Sequence, residues 1–419
     1  MTRRAAAPRG RSPRAVRDPY GIAPAQAYIG PAIAVIALLV VALLTLNLLN
    51  GQIPFLPQPG NGAAPGGGGG GADGGPKPTP APPDVVIVEP KTTFPGSIAY
   101  AKAGNIWIQD AKAARQVTKT GRDSMPAFSS DGQWIYFIRT VLTSGRFPTG
   151  GFQAPSNYDL ETPGLLRIHP DGTGVERLLT GSFTRGTSRW FYWLRQPVPS
   201  PDGKTVIVIS DGPNPLQSDI TVHSFGIASK QLTSLNLAQS LHLGHQDPAW
   251  RADGRFLLYV KNGRELNRGA PQIYRYEPAT KKTRALTGPG YVAPAYSPDG
   301  AWIAATKTDA FGTDIAILDA AGKEVLRVTN DAHSFSPVWS PAGDAVAFLH
   351  LDGTIVDLRL AHLDRSSGRW AVSETVDVTK VSGLDGASRP SWFAPESEVP
   401  RPSAPPAAAS PSPSGSTTP

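Results

Sequence analysis

Three histidines stand where connecting segments can bring them together. His242 and His245 are spaced His-x-x-His on one connection, and His333 lies on the corresponding connection of a later repeat. Imidazoles so placed are ligand types for a divalent metal, provided a third donor and hydrogen-bonded partners orient the rings. Solvated loop histidines are the plain alternative. A second set is aromatic and cationic: Arg146, Phe147, Phe152 and Tyr158, followed by Asp159, lie in a Gly-, Pro- and Ser-containing insertion over about 140–164. Trp190, Phe191, Tyr192, Trp193 and Arg195 follow one connection later. Trp, Tyr and Arg dominate the energetics of protein interfaces. Arg146, Phe147, Phe152, Tyr158, Trp190, Tyr192, Trp193 and Arg195 are therefore the candidate binding residues. A flap folded over the domain accounts for the insertion equally well, and if 190–193 is a strand entering the fold, its alternate members belong to the core.

Other chemistries lack their residues. No Gly-x-Ser-x-Gly nucleophile elbow occurs. The glycine run 66–71 is followed by Ala72 and Asp73, where a phosphate-binding loop needs Lys and Ser or Thr. With no cysteine, disulfide and thiolate chemistry are excluded. The net charge of +7 is concentrated at the start of the chain: six arginines against Asp18 within residues 1–27 supply five of those seven charges. A nucleic-acid partner needs a basic face on the folded domain, so none is expected.

The elements that must position these residues announce themselves by repetition. Pro126, Pro197, Pro248, Pro294, Pro337 and Pro390 each open a short apolar strand, at spacings of 43 to 71 residues. Most of these strands run into a turn of the Ser-Pro-Asp-Gly type, whose residues preset a chain reversal. Thr118, Thr180, Thr233, Thr287, Thr329 and Thr379, each after Leu or Val, close a strand shortly before the next proline. Between these marks lie alternating segments such as 272–276 and 314–319, so each repeat reads as four strands, a propeller blade. Five repeats are complete. Residues 97–118 supply three strands lacking a first, and 390–394 a first strand lacking followers, so the two chain ends should share a sixth blade and close the ring. The predicted fold class is all-β, a six-bladed β-propeller whose last blade is closed by N- and C-terminal strands, preceded by one transmembrane helix. The insertion and the connections 181–196 and 234–247 then project from one face, the loop face, and the Ser-Pro-Asp-Gly turns from the other, the turn face.

The Pro-x-aromatic-Ser-Pro-Asp-Gly hairpin with its terminal Leu-Thr resembles the TolB-like six-bladed β-propeller family, over about 97–394. The family's founding member carries an α/β domain ahead of the propeller, which is not expected here. The resemblance implies no single function, since such propellers recur in periplasmic translocation proteins, beside serine peptidase domains and in certain polysaccharide lyases. Lyases of this group hold a divalent metal with histidines and a glutamine, which here points to His242, His245 and His333, with Gln246 adjacent.

Residues 27–49 are uncharged over 23 positions and reach about 34 Å as a helix, enough to cross a hydrocarbon core of about 30 Å. The arginines before them, and the lack of any basic residue after them until Lys77, place the N-terminus in the cytoplasm. The expected organisation is a basic cytoplasmic segment at 1–26, a signal-anchor helix at 27–49, a Gly/Pro-rich linker at 50–93, the propeller at 94–394 and a Pro/Ser/Ala tail at 395–419. The expected function is a membrane-anchored extracytoplasmic binding or scaffolding module of a bacterial cell envelope, with an envelope protein or glycan as partner and no cofactor. The alternative is a metal-dependent carbohydrate-active enzyme.

Overall fold

The computed structural model describes residues 94–147, 156–212, 220–238, 244–263 and 271–399. They form six four-stranded antiparallel sheets and one two-stranded sheet. Blade 1 consists of Asp123–Phe128, Ile135–Phe147, Ser156–Ile168 and Glu176–Leu179, innermost strand first. Blades 2 to 5 follow with inner strands Leu194–Pro199, His245–Trp250, Tyr291–Tyr296 and Ser334–Trp339. In blade 6 Ser391–Phe393 pairs with Ser97–Lys102, and Asn105–Gln109 and Ala114–Gln116 complete the sheet. Ile98 faces Trp392 in that register, so the two ends of the propeller sequence do share one blade. The membrane span expected at 27–49, the linker at 50–93 and the tail beyond 399 lie outside the described residues; among the described residues no helix is long and apolar enough to cross a membrane.

Both repeat marks have a physical cause. In the turn Ser129–Gly132 the Ser129 hydroxyl donates to Asp131 Oδ1 at 2.5 Å and accepts from Trp134 N–H at 3.0 Å. Asp131 also accepts from Gln133 N–H, and Gly132 closes the reversal at φ +68°. These bonds hold the Asp131 carboxyl below the usual carboxylate range against the opposing effect of partial burial. Ser200 with Asp202 and Ser297 with Asp299 repeat the arrangement. In blade 5, where Ala342 replaces the aspartate, Asp344 takes the Ser340 hydroxyl instead. The threonine mark ends the outer strand by hydrogen bonding back to the third. Thr118, Thr287, Thr329 and Thr379 each accept, through Oγ1, a backbone N–H of that strand, from Ile106, Ile273, Ile315 and Leu358.

Side chains alternate between the two neighbouring blades, so each middle strand is apolar on both faces. In blade 4, Ile303 and Ala305 pack toward blade 3 while Ala304 packs toward blade 5. Six apolar clusters result, one at each seam between blades.

Candidate functional site

The inner strands begin three residues earlier than the prolines suggest. In blades 1 to 5 the proline is the fourth strand residue, and a bulge interrupts the ladder across it. A residue without an N–H is tolerated at such a point. The residue before each proline is turned into the left-handed region: Met125, Gln196, Asp247, Ala293 and Ser336 have φ between +48° and +56°. Non-glycine residues adopt it at a cost of order 1 kcal/mol each unless their surroundings hold them there.

The holding device is a chain of hydrogen bonds from blade to blade. Met125 N–H donates to Ser388 Oγ at 2.9 Å, Gln196 N–H to Met125 Sδ at 3.1 Å, and Asp247 N–H to Gln196 Oε1 at 2.9 Å. Ala293 N–H donates to Asp247 Oδ2 at 3.0 Å. In three consecutive steps the side chain before one proline accepts the N–H before the next, and Ser388, two residues before Pro390, starts the series. Ala293 has no acceptor to offer, and Ser336 N–H is taken by Thr306 Oγ1 at 2.9 Å instead. The ring's throat is fixed by side chains that share only an acceptor atom.

This throat surrounds an axial cavity of about 740 Å³, whose charged lining is Arg195, Arg389 and Asp247. Asp247 is its hub: Gln196 Nε2 donates to it at 2.6 Å, and Arg389 Nη2 lies 3.9 Å from the same oxygen. Arg389 also donates to Pro294 O at 2.8 Å. Burial lowers its guanidinium pKa, and Asp247 opposes that shift. The Arg195 Nε is buried with no hydrogen-bond partner. Positive charge thus exceeds negative in the lining. Arg195 is one of the candidate residues expected from the sequence; Gln196, Asp247 and Arg389 are not. Their signal was a column position, the residue immediately before each repeated proline.

The insertion is a long two-stranded extension of blade 1, formed by the far ends of Ile135–Phe147 and Ser156–Ile168, and not a loop. Nor does 190–193 enter the ring as a strand with alternate core members. Ser188–Phe191 pairs with Ser182–Arg185 in a separate hairpin, and the inner strand of blade 2 starts only at Leu194. Trp190, Phe191, Tyr192 and Trp193 are all partly or fully exposed. The hairpin folds onto the extension, with the buried Phe147 edge-on to Phe191 at 6.4 Å. Tyr192 stacks on Phe183 at 4.8 Å, and burial raises its phenol pKa. The Arg185 guanidinium lies 5.3 Å from the Trp190 ring. Tyr158 and Trp193 are 42% and 43% exposed, and Val141 and Leu142 are exposed as well; on the extension Val141 and Tyr158 share one sheet face and Leu142 lies on the other. Arg146 pairs across the extension with Asn157, on the sheet face opposite Tyr158. Phe152 lies outside the described residues.

Two of the three histidines lie among the described residues, in different surroundings. His245 is a core residue, 3% exposed and edge-on to Tyr259. Its Nδ1 lies 3.4 Å from Val222 N–H and its Nε2 3.2 Å from Ala238 O. Blade 2 explains the first contact: its outer strand returns at Leu235, whose N–H donates to Val222 O, and Asn236 stands where other blades place the closing threonine. His245 fills the place of the missing hydroxyl. Thr233, expected to close blade 2, lies inside the outer strand Leu232–Ser234. His333 is exposed, with Nδ1 2.6 Å from Asp331 O, and His242 lies outside the described residues. Among the described residues no group of three metal-ligating side chains comes together.

No family model matches the chain. It is 35% identical over 100 residues to the Tol-Pal system protein TolB of Anaeromyxobacter dehalogenans strain 2CP-C, a match covering 22% of this chain and 21% of that protein. The TolB of Anaeromyxobacter sp. strain K is 35% identical over 94 residues. The chain therefore spans about a fifth of the length of the curated relatives it matches. Among solved structures, TolB from Acinetobacter baumannii aligns with a TM-score of 0.52 at 18% identity, over 73% of this chain and 68% of that one. Putative TolB from Agrobacterium tumefaciens aligns with a TM-score of 0.48 at 18% identity, over 72% and 94%. The described part of this chain is a six-bladed β-propeller, similar in fold to TolB and in part of its sequence to TolB proteins.

Proposed function

We propose that the protein is an extracytoplasmic protein-binding module of a bacterial cell envelope, tethered to the membrane through residues 27–49. Its partner is engaged at the loop-face mouth of the channel. The observation that carries this reading is the pairing of a rigid, cationic throat, where Arg195 Nε has no partner, with the exposed Trp193 two residues away in sequence. A donor held on a rigid frame beside an exposed aromatic surface is the composition of an interface hot spot. The matched relatives are named for the Tol-Pal system, which supports the envelope as the setting.

Two measurements test the reading. Because the chain has no cysteine, single cysteines report topology cleanly. In intact cells a membrane-impermeant maleimide should label Ser367→Cys, in an exposed turn of blade 5, and should reach Thr2→Cys only after lysis. Equal labelling of both sites would refute the anchor. For the surface, the double variant Tyr158→Ala/Trp193→Ala in the full chain should lose retention of envelope proteins after cross-linking. Its stability should change by less than about 1 kcal/mol, since both residues lie at exposed surface positions. Undiminished retention by this variant would place the interface elsewhere.

A further inference from the structure

At the turn-face end of the seam between blades 3 and 4, apolar packing gives way to a cluster of arginines. Leu258, Ile273 and Leu286 of blade 3 pack against blade 4. One alternation step nearer the turns, the same sheet face carries Phe256, Arg275 and Arg284. Arg275 and Arg284 are direct cross-strand partners, an arrangement that destabilises a sheet when both charges are alike. The guanidinium carbons of Arg275, Arg251 and Arg255 lie 4.4, 5.7 and 5.8 Å from the Phe256 ring. Asp253 pairs with Arg251 at 3.4 Å. Arg255, Arg275 and Arg284 have no acidic partner within ion-pair distance among the described residues. Arg255 and Arg284 are exposed, and Arg251 and Arg275 partly so.

The cluster reaches the next blade. Arg251 lies over the blade 4 turn so closely that a Cβ added at Gly300 would come within 2.3 Å of its Nε. The Tyr296 phenol of blade 4, pushed up to about 12 by burial, is pulled the other way by Arg275, Arg251 and Arg284. Burial and then Arg284 depress Arg275 itself. Such a gathering does not help the ring to fold. Guanidiniums stacked on an aromatic face keep their N–H edges free for bidentate contact with carboxylates.

We propose that Arg251, Arg255, Arg275 and Arg284 form a docking site for an acidic polypeptide segment presenting two or three carboxylates. The site lies on the face opposite the channel mouth proposed above and does not depend on that reading. A bilayer or a phosphate polymer is attracted by a broad basic surface. Beyond residue 27 this chain carries a net charge of only about +2, which gives no overall basic attraction, whereas four arginines at one seam match the size of a short segment.

The test uses the full chain in detergent and a fluorescent decapeptide with glutamate at alternate positions, read by anisotropy at about 50 mM salt, where exposed charges are weakly screened. Arg275→Gln/Arg284→Gln should weaken binding at least about tenfold, and the glutamine analogue of the peptide should bind neither chain. The melting temperature of the variant should not fall, because a like-charge pair has been removed. The N-terminal arginines are common to both chains, so the difference reads the cluster alone. The exposed Arg255→Gln provides an independent variant, expected to weaken binding about threefold. Equal affinity of wild-type and variant chains for the glutamate peptide would overturn the proposal. So would preference of the cluster for phosphatidylglycerol vesicles or polyphosphate over that peptide.

Discussion

Asp247→Ala lowers the stability of the propeller by about 3–5 kcal/mol, the range expected when one partner of a buried charged network is removed. The carboxylate receives Gln196 Nε2 and Ala293 N–H and stands opposite Arg389. Its loss leaves two donors without acceptors beside a residue that is 9% exposed, each costing about 1–3 kcal/mol. It also leaves Arg389 with only the Pro294 carbonyl. Alanine is, besides, a poorer occupant than aspartate of the left-handed backbone at φ +52°. Asp247→Asn should cost less, about 1–2 kcal/mol, because one acceptor oxygen survives while the countercharge is lost. Arg389→Met in the Asp247→Ala background should restore part of the loss, since the uncompensated cation is then gone. Urea titration checks this: the midpoint should move while the slope stays constant. A cost below about 1 kcal/mol for Asp247→Ala would mean that the throat is held by its prolines and bulges, with the hydrogen-bond chain incidental.

The parts of this architecture that could be read from sequence are those settled within a few residues. Ser129, Asp131 and Gly132 make their turn with each other, and Thr118 reaches only to Ile106, so their spacing repeats and is visible. Closure by the chain ends was legible for the same reason, as an incomplete repeat at each end. The throat was hidden because it is made between blades. Ser388, Met125, Gln196 and Asp247 share a role but no chemistry beyond a lone pair, so no residue type marks the column. His245 misled because it replaces a threonine: a histidine in a connection suggests a ligand, yet here the ring fills a backbone-bonding position against Tyr259. The hairpin Ser182–Phe191 was missed because Phe191 faces the blade 1 extension while Phe183 and Trp190 lie on the hairpin's other face, giving no alternation directed at the ring.

Trp392→Ala tests closure itself, and its expected cost is again about 3–5 kcal/mol, the usual range for deleting a large buried aromatic. The closing strand is only Ser391–Phe393, held to Ser97–Lys102 by three residue pairs, and so depends on its side chains. Trp392 Nε1 donates to Pro95 O at 2.8 Å, and its ring meets Phe94 edge-on at 5.5 Å. It belongs to the cluster that joins blades 5 and 6. Phe393 packs the other way, 5.7 Å from Phe128 of blade 1, so the two neighbouring rings clamp the seams on either side. Releasing this strand would bare the edge of Ser97–Lys102, and exposed edges template association. The variant should therefore unfold at lower urea and also form soluble oligomers at concentrations where wild type is monodisperse. Ser391→Ala, which removes only the acceptor of Phe128 N–H, should cost about 1 kcal/mol and leave the edge covered. If Trp392→Ala matched Ser391→Ala in both measurements, the ring would be held shut by backbone pairing alone, and the aromatic two places after the proline would serve the seam without securing the closure.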